Sequence, residues 1–234
     1  MTPEGWKLGS FSNEPIFGYW RARRLGQPIR NLLVFKGVHF HEKLYLALRP
    51  LQYFNAQWLT EKHHLDLKFP NLPYYIEGDV KLTQSLCILR HLGRKHNLAA
   101  ATESETTELD VLEQQAIDLC ESIREAAFSQ VKPHSMRPYE EKLGEVLGPW
   151  AVHLQGRQWV LGDRLTYVDF LLYEGLDWHR LWKADVFKNY PILDAYVRKF
   201  EDLPNLKTYF QSHMYYRFPI FGPLAKWGFN ECDK

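Results

Sequence analysis

Apolar and polar positions change period along this chain, and the change divides it in two. Ile16, Phe17, Gly18, Tyr19 and Trp20 form a short apolar run that reads as a strand feeding through a basic turn into a helix. Leu25, Ile29, Leu32, Leu33 and Lys36 then fall at helical spacing, with Gly37 placed to cap the end. Val38 to Tyr45 alternates as a strand, which completes a βαβ start. A loop over Ala47 to Gln57 leads to a short helical piece around Trp58 to His64. Tyr75-Ile76, a turn at Glu77-Gly78-Asp79 and Val80 to Leu82 read as a hairpin, and Ser85 to His96 as a helix.

Residues 98 to 106 shift toward small and polar residues and read as a linker. Beyond them the period is mainly helical: Leu109, Leu112, Ala116, Leu119, Ile123 and Ala127 form one stripe, and Phe187 to Leu203 repeats the amphipathic pattern. Thr166 followed by Asp169, ahead of Phe170-Leu171-Leu172-Tyr173, is a capping-box variant that starts a buried helix. The expected organisation is a polar extension over 1–14, a βαβ-ββα domain over 15–97, the linker, and an all-helical domain over 107–234. The fold class is α/β plus all-α, a thioredoxin-like domain followed by a helical bundle.

Composition narrows the function. With 234 residues, 45% of them hydrophobic and 15% aromatic, the chain has ample material for a packed core. A formal net charge of +1 gives no field to gather nucleic acid or an anionic membrane. No apolar run approaches the ~18 residues of a membrane span, and the polar N-terminus does not read as a secretory signal. The cysteines, Cys87, Cys120 and Cys232, are few and scattered, so neither a disulfide framework nor a CxxC zinc pattern is available and a reducing, cytoplasmic setting fits. The histidines include His39/His41 and His63/His64 without a helical His-Glu-x-x-His pattern, so no metal site is expected.

The thioredoxin-like order lacks the cysteine pair that thiol–disulfide exchange requires. A domain of this kind without the dithiol points to binding a thiol compound. Tyr19 stands at a strand end, and the stretch Phe69-Pro70-Asn71-Leu72-Pro73-Tyr74 leads to Thr83-Gln84-Ser85 at a helix start. With Gly18-Tyr19-Trp20 and Gln57-Trp58-Leu59, at separations that match without a gap, the chain from Ile16 onward resembles the cytosolic glutathione transferases, the mu class most of all.

The resemblance implies a glutathione transferase that conjugates reduced glutathione to hydrophobic electrophiles, with glutathione as co-substrate and no other cofactor. It assigns Tyr19 the hydroxyl that stabilises the thiolate. Trp20, Leu25, Trp58, Lys62, Asn71, Leu72, Pro73, Gln84 and Ser85 would line the glutathione site, the Leu72-Pro73 bond being cis. Lys62 would meet the glycine carboxylate, and Gln84 and Ser85 the γ-glutamyl carboxylate at a helix N-terminus. Asp118 would reach a partner subunit's glutathione, and Phe69 would be the aromatic key of a homodimer. The electrophile pocket would be apolar, made by Trp20, Ala22, Leu25, Ile117, Phe128 and Phe221.

Three places depart from the mu pattern. Asn55 replaces an arginine, which predicts weaker glutathione binding unless Arg49 or Lys62 substitutes. Phe128 replaces a tyrosine that assists epoxide opening. Arg21 and Arg24 crowd the turn after Tyr19 where small or neutral residues are usual; their charge could support the thiolate, but facing solvent is the plainer expectation. Other readings of the same residues are a non-catalytic carrier of hydrophobic ligands, a glutathione-dependent isomerase of the prostaglandin synthase type, and a structural protein such as a lens crystallin, against which the intact Tyr19, Gln84 and Ser85 argue.

Overall fold

The structure is a computed structural model, describing residues 14–46, 56–129 and 136–231. The polar extension up to residue 13, Arg49, Asn55 and Cys232 therefore lie outside the described residues. The first domain runs β1 (Ile16–Trp20), α1 (Gln27–Phe35), β2 (His41–Tyr45), α2 (Ala56–Glu61), β3 (Tyr74–Glu77), β4 (Val80–Thr83) and α3 (Ser85–Lys95). The sheet order is β2-β1-β3-β4, with β1 parallel to β2 and antiparallel to β3, and β4 antiparallel to β3. This is the thioredoxin-like βαβ-ββα arrangement.

The central position of β1 explains its composition. Flanked on both sides, its middle residues Phe17, Gly18 and Tyr19 are buried, so alternation gives way to a continuous apolar run. Two boundaries differ from the periodic reading. α1 begins at Gln27, where Pro28 suits the first turn, leaving Leu25 in the preceding turn and 37% exposed. β2 begins at His41, whose N–H donates to Pro15 O at 2.8 Å. Phe40, just before it, packs edge-on against Phe17.

The second domain is helical: α4 (Glu103–Phe128), α5 (Arg137–Glu140), α6 (Leu143–His153), α7 (Tyr167–Trp182), α8 (Pro191–Glu201) and α9 (Leu206–Phe210). α4 starts inside the 98–106 stretch because Thr102 caps it. The Thr102 hydroxyl accepts the Glu105 N–H at 3.2 Å while the Glu105 carboxylate accepts the Ala101 N–H at 2.7 Å, each meeting a donor the helix end leaves unpaired. At the start of α7, Asp169 accepts the Thr166 N–H at 2.7 Å and hydroxyl at 3.0 Å, the Val160 N–H at 2.9 Å and the Tyr196 hydroxyl at 2.8 Å. One buried carboxylate thus ties the helix start to the preceding turn and to α8.

A single apolar core runs from Phe17 and Ile29 through Leu89 to Leu119, Phe170 and Val197, so it crosses the domain boundary. A second cluster, around Ile123, Tyr139, Trp178, Phe221 and Trp227, closes the far end of α4. Arg23, fully buried in the β1–α1 turn, joins the domains. It donates to Glu174 at 3.1 and 3.0 Å and to Asp177 at 2.7 Å, both on α7.

Candidate active site

Strand register brings three of the expected glutathione residues close together. Gly18 pairs with Tyr74 across β1 and β3, and Tyr74 with Thr83 across β3 and β4. One step beyond this row lie Tyr19, Pro73 and Gln84, each toward the same end of the sheet. The Leu72-Pro73 peptide is cis. Gln84 precedes α3 with φ 71° and ψ 114°, a backbone conformation that a residue bearing a Cβ adopts only under strain. It leaves the first N–H groups of α3, beginning at Ser85, open at a positive helix end.

Tyr19 is held from several sides. It is 3% exposed, and its hydroxyl oxygen accepts the Leu25 N–H at 3.3 Å. A Cβ on Gly26 would sit 2.3 Å from the Tyr19 ring, so a glycine there permits the turn to wrap it. Burial pushes the Tyr19 hydroxyl above the ordinary tyrosine value, opposed by the charge of Arg24, the Leu25 hydrogen bond and the charge of Arg30. The hydroxyl therefore keeps its proton at neutral pH and can donate it to an anion. Arg30 is the positioning residue that the sequence reading missed. Fully buried, it donates to Ala22 O at 2.9 Å and Trp20 O at 3.2 Å, pairs with Glu42, and places its guanidinium 5.8 Å from the Tyr19 ring centre. An arginine directly beside the apolar Ile29-Leu32-Leu33 stripe was the available signal.

Trp58 is buried and stacks on Tyr74 at 6.2 Å and 15°. Tyr74 in turn lies against Gly18, where any Cβ would fall 2.1 Å from its ring. The Tyr45 hydroxyl, donating to Glu61 at 2.8 Å, and Lys43, donating at 3.0 Å, fix α2 against the sheet. Lys62 follows α2, half-exposed and without an ion-pair partner among the described residues. Asn71 Oδ1 accepts the Leu72 N–H at 2.9 Å, so a ligand pairing with that N–H must first turn the Asn71 side chain away.

The expected acceptor residues come from both domains. Ala22 is buried and Trp20 half-buried in the first, while Phe128 meets Phe221 edge-on at 5.9 Å in the second. The turn carrying Ala22 is tied to the Phe221 segment by Arg23 N–H to Pro219 O at 2.9 Å and Arg24 N–H to Ile220 O at 3.2 Å. Ile117 is half-buried on α4. The plain expectation for Arg21 and Arg24 holds for one only. Arg21 is exposed, but Arg24 reaches across the domain boundary to Glu121, 3.5 Å away. Asp118 stands apart, exposed on α4 and lining a groove of about 430 Å³ with Val111, Trp150 and His153. Phe69 is 67% exposed. Among the described residues no cluster of three or more His, Cys, Asp or Glu suits a metal ion, and no helix is long and apolar enough to cross a membrane.

Comparison with known proteins decides the family. Residues 15–94 match the N-terminal domain model, and residues 117–213 the C-terminal domain model, of the glutathione S-transferases. The chain belongs to the glutathione S-transferase family. Its relatives include glutathione S-transferase Mu 1 of Bos taurus, 39% identical with 91% of this chain and 98% of the relative covered, and Mu 5 of Mus musculus, 36% identical with 94% and 98% covered. Among solved structures it is similar to the glutathione S-transferase Blo t 8, at 34% identity and a TM-score of 0.78, covering 91% of this chain and 99% of that one. Glutathione S-transferases use glutathione as co-substrate and need no further cofactor.

Proposed function

We propose that this chain joins the sulfur of reduced glutathione to hydrophobic electrophiles and that Tyr19 is its catalytic residue. The observation that carries the assignment is the protonated, nearly buried Tyr19 hydroxyl, oriented by the Leu25 N–H at 3.3 Å and in line with the Leu72-Pro73 bond and the Gln84 corner. A free thiol of pKa about 8.5 is only a few per cent ionised at neutral pH. A hydrogen bond donated to the sulfur favours its anion and lowers that pKa, and binding beside the acceptor converts the attack into a reaction within one complex.

Glutathione lies across the strand ends of the sheet in this reading. The Leu72 backbone pairs with the cysteinyl unit in the manner of an added strand, after Asn71 turns away. Gln84, Ser85 and the start of α3 take the γ-glutamyl carboxylate, and Trp58 and Lys62 the glycyl end. Asp118, on the far groove, serves the site of a second copy. The exposed Phe69 is the apolar key of that homodimer, and the enzyme works in the cytoplasm. Carrier and isomerase readings are not favoured, since the relatives carry transferase names.

The test is a thiolate titration by ultraviolet absorbance with glutathione bound. Tyr19→Phe is expected to raise the bound thiol's pKa by about 1 to 2 units and to lower kcat/KM about 10- to 100-fold, the worth of one hydrogen bond to a charged group. A wild type that shows no bound thiolate at neutral pH refutes the assignment.

A further inference from the structure

The acceptor pocket expected from the sequence is apolar, yet the helix that walls it carries charge. Ile117, Glu121, Arg124 and Phe128 follow one another at helical spacing along α4, which puts them in a single stripe. Arg124 bonds Glu121 and lies 5.9 Å from the Phe128 ring centre. Arg24 reaches the same carboxylate from the opposite domain, its Nη2 3.5 Å from Glu121 Oε1, with both side chains 36% exposed. Two cations thus share Glu121, and Arg124 also has the exposed Glu125 within 3.9 Å, so Arg24 is the one of the two that depends on Glu121 alone among the ion pairs of the described residues.

Arg24 is incompletely satisfied. Its contact with Glu121 is too long for a good charge-assisted hydrogen bond, and its Nε is buried without a hydrogen-bond partner, a condition native structures seldom leave unused. Its backbone φ of 20° lies at the edge of the region that residues with a Cβ avoid. Its N–H is nonetheless pinned to Ile220 O, next to Phe221, and its charge is the strongest of those acting on the Tyr19 hydroxyl. A guanidinium with a spare buried donor thus springs from a backbone position held beside Phe221, facing α4 at Glu121 and acting by its charge on Tyr19.

We infer that Arg24 determines acceptor specificity by receiving an anionic group, a carboxylate, carried by the hydrophobic electrophile. Glu121 holds the place of that group before it binds and keeps Arg124 as partner when it gives way. The inference rests on the transferase reading and deepens it. For an unsaturated ketone bearing a carboxylate, the glutathione sulfur forms the C–S bond at the β-carbon. The double-bond pair moves to the enolate, and the α-carbon takes a proton from solvent in place of the one the thiol released.

The experiment compares such an unsaturated ketone acid with its methyl ester. Arg24→Gln is expected to lower the acid-to-ester ratio of kcat/KM about 10- to 100-fold, chiefly through KM, the range of one hydrogen bond to a charged group. Glu121→Gln, which removes the competing charge, is expected to raise the same ratio, so the two variants move it in opposite directions. An unchanged ratio in both overturns the inference, as does a fall in Arg24→Gln that is equal for acid and ester. If the wild type consumes neither compound, the transferase reading fails on that ground. Calorimetric binding of the two preformed glutathione conjugates then decides the role of Arg24, and equal affinity for acid and ester conjugates in wild type overturns it.

Discussion

The two halves of the proposed site are built on different physical plans. The glutathione half sits at one end of the sheet, where strand register alone lines up Tyr19, Pro73 and Gln84 and packed rings hold them, as Tyr74 does between Gly18 and Trp58. The acceptor half is assembled from the β1–α1 turn, α4 and the segment around Phe221, and the turn meets the other two only because the domains dock. Its specificity therefore depends on long-range contacts, and a change at the joint reaches it before it reaches the sheet.

The joint itself gives the largest test of this difference. Arg23 and Arg24 are neighbours with opposite fates: Arg23 is fully buried between Glu174 and Asp177, whereas Arg24 meets Glu121 at the partly exposed rim. Arg23→Met leaves Glu174 buried without its cation, and removing one partner of a buried pair costs about 3 to 5 kcal/mol. Denaturant unfolding is expected to show that loss, and native-state proteolysis to open the acceptor half first. A loss below about 1 kcal/mol, the scale of a surface pair, would mean that Arg23 does not carry the joint.

Acid provides the next test, because it acts on the acceptor half through a buried histidine. His179 on α7 accepts the Tyr139 hydroxyl at Nε2, 2.6 Å away, while its Nδ1 donates to Gly175 O at 2.7 Å. Burial pushes it down to about 4 from an ordinary 6.5. Between these values the unfolded chain binds the proton that the native state refuses. The stability present above about pH 6.5 is thus lost as pH falls toward 4, by about 3 kcal/mol at most. His179→Gln is expected to flatten that limb of the stability curve. A variant curve parallel to the wild type would exclude His179 as its source.

The same division marks what could be read from the sequence. Glycine at 18, the Asn71-to-Tyr74 run and Gln84-Ser85 are local signals, and the register of β1, β3 and β4 brings them to one end of the sheet. The Thr166–Asp169 box was legible for the same reason. Thr102-Glu103-Ser104-Glu105 is an equally local helix start, but its small polar neighbours disguised it as linker, so α4 begins earlier than its apolar stripe suggested. Arg23 and Arg24 were not legible, since their partners Glu174 and Glu121 are fixed by the fold and not by spacing; Arg30 was visible as a charge beside an apolar stripe, but its acceptors Trp20 O and Ala22 O were not. A basic turn looks solvated until the second domain covers it.

Gln84 yields the smallest effect and the sharpest separation between fold and function in the glutathione half. At φ 71° and ψ 114° its backbone stores strain that a glycine would not feel. In Gln84→Gly, relief of that strain opposes the extra freedom of the unfolded chain, and a net gain of up to about 1 kcal/mol in stability is expected. The same change removes a side-chain amide from the proposed γ-glutamyl end of the site, where one neutral hydrogen bond is worth about 0.5 to 1.5 kcal/mol, or roughly a 2- to 12-fold loss of glutathione affinity. Thermal unfolding without ligand and glutathione titration by calorimetry should therefore move in opposite directions. If both fall, the corner is not strained in the way its dihedrals indicate. If stability rises with affinity intact, the strained corner serves to aim the α3 N-terminus at the carboxylate, and the Gln84 side chain is dispensable.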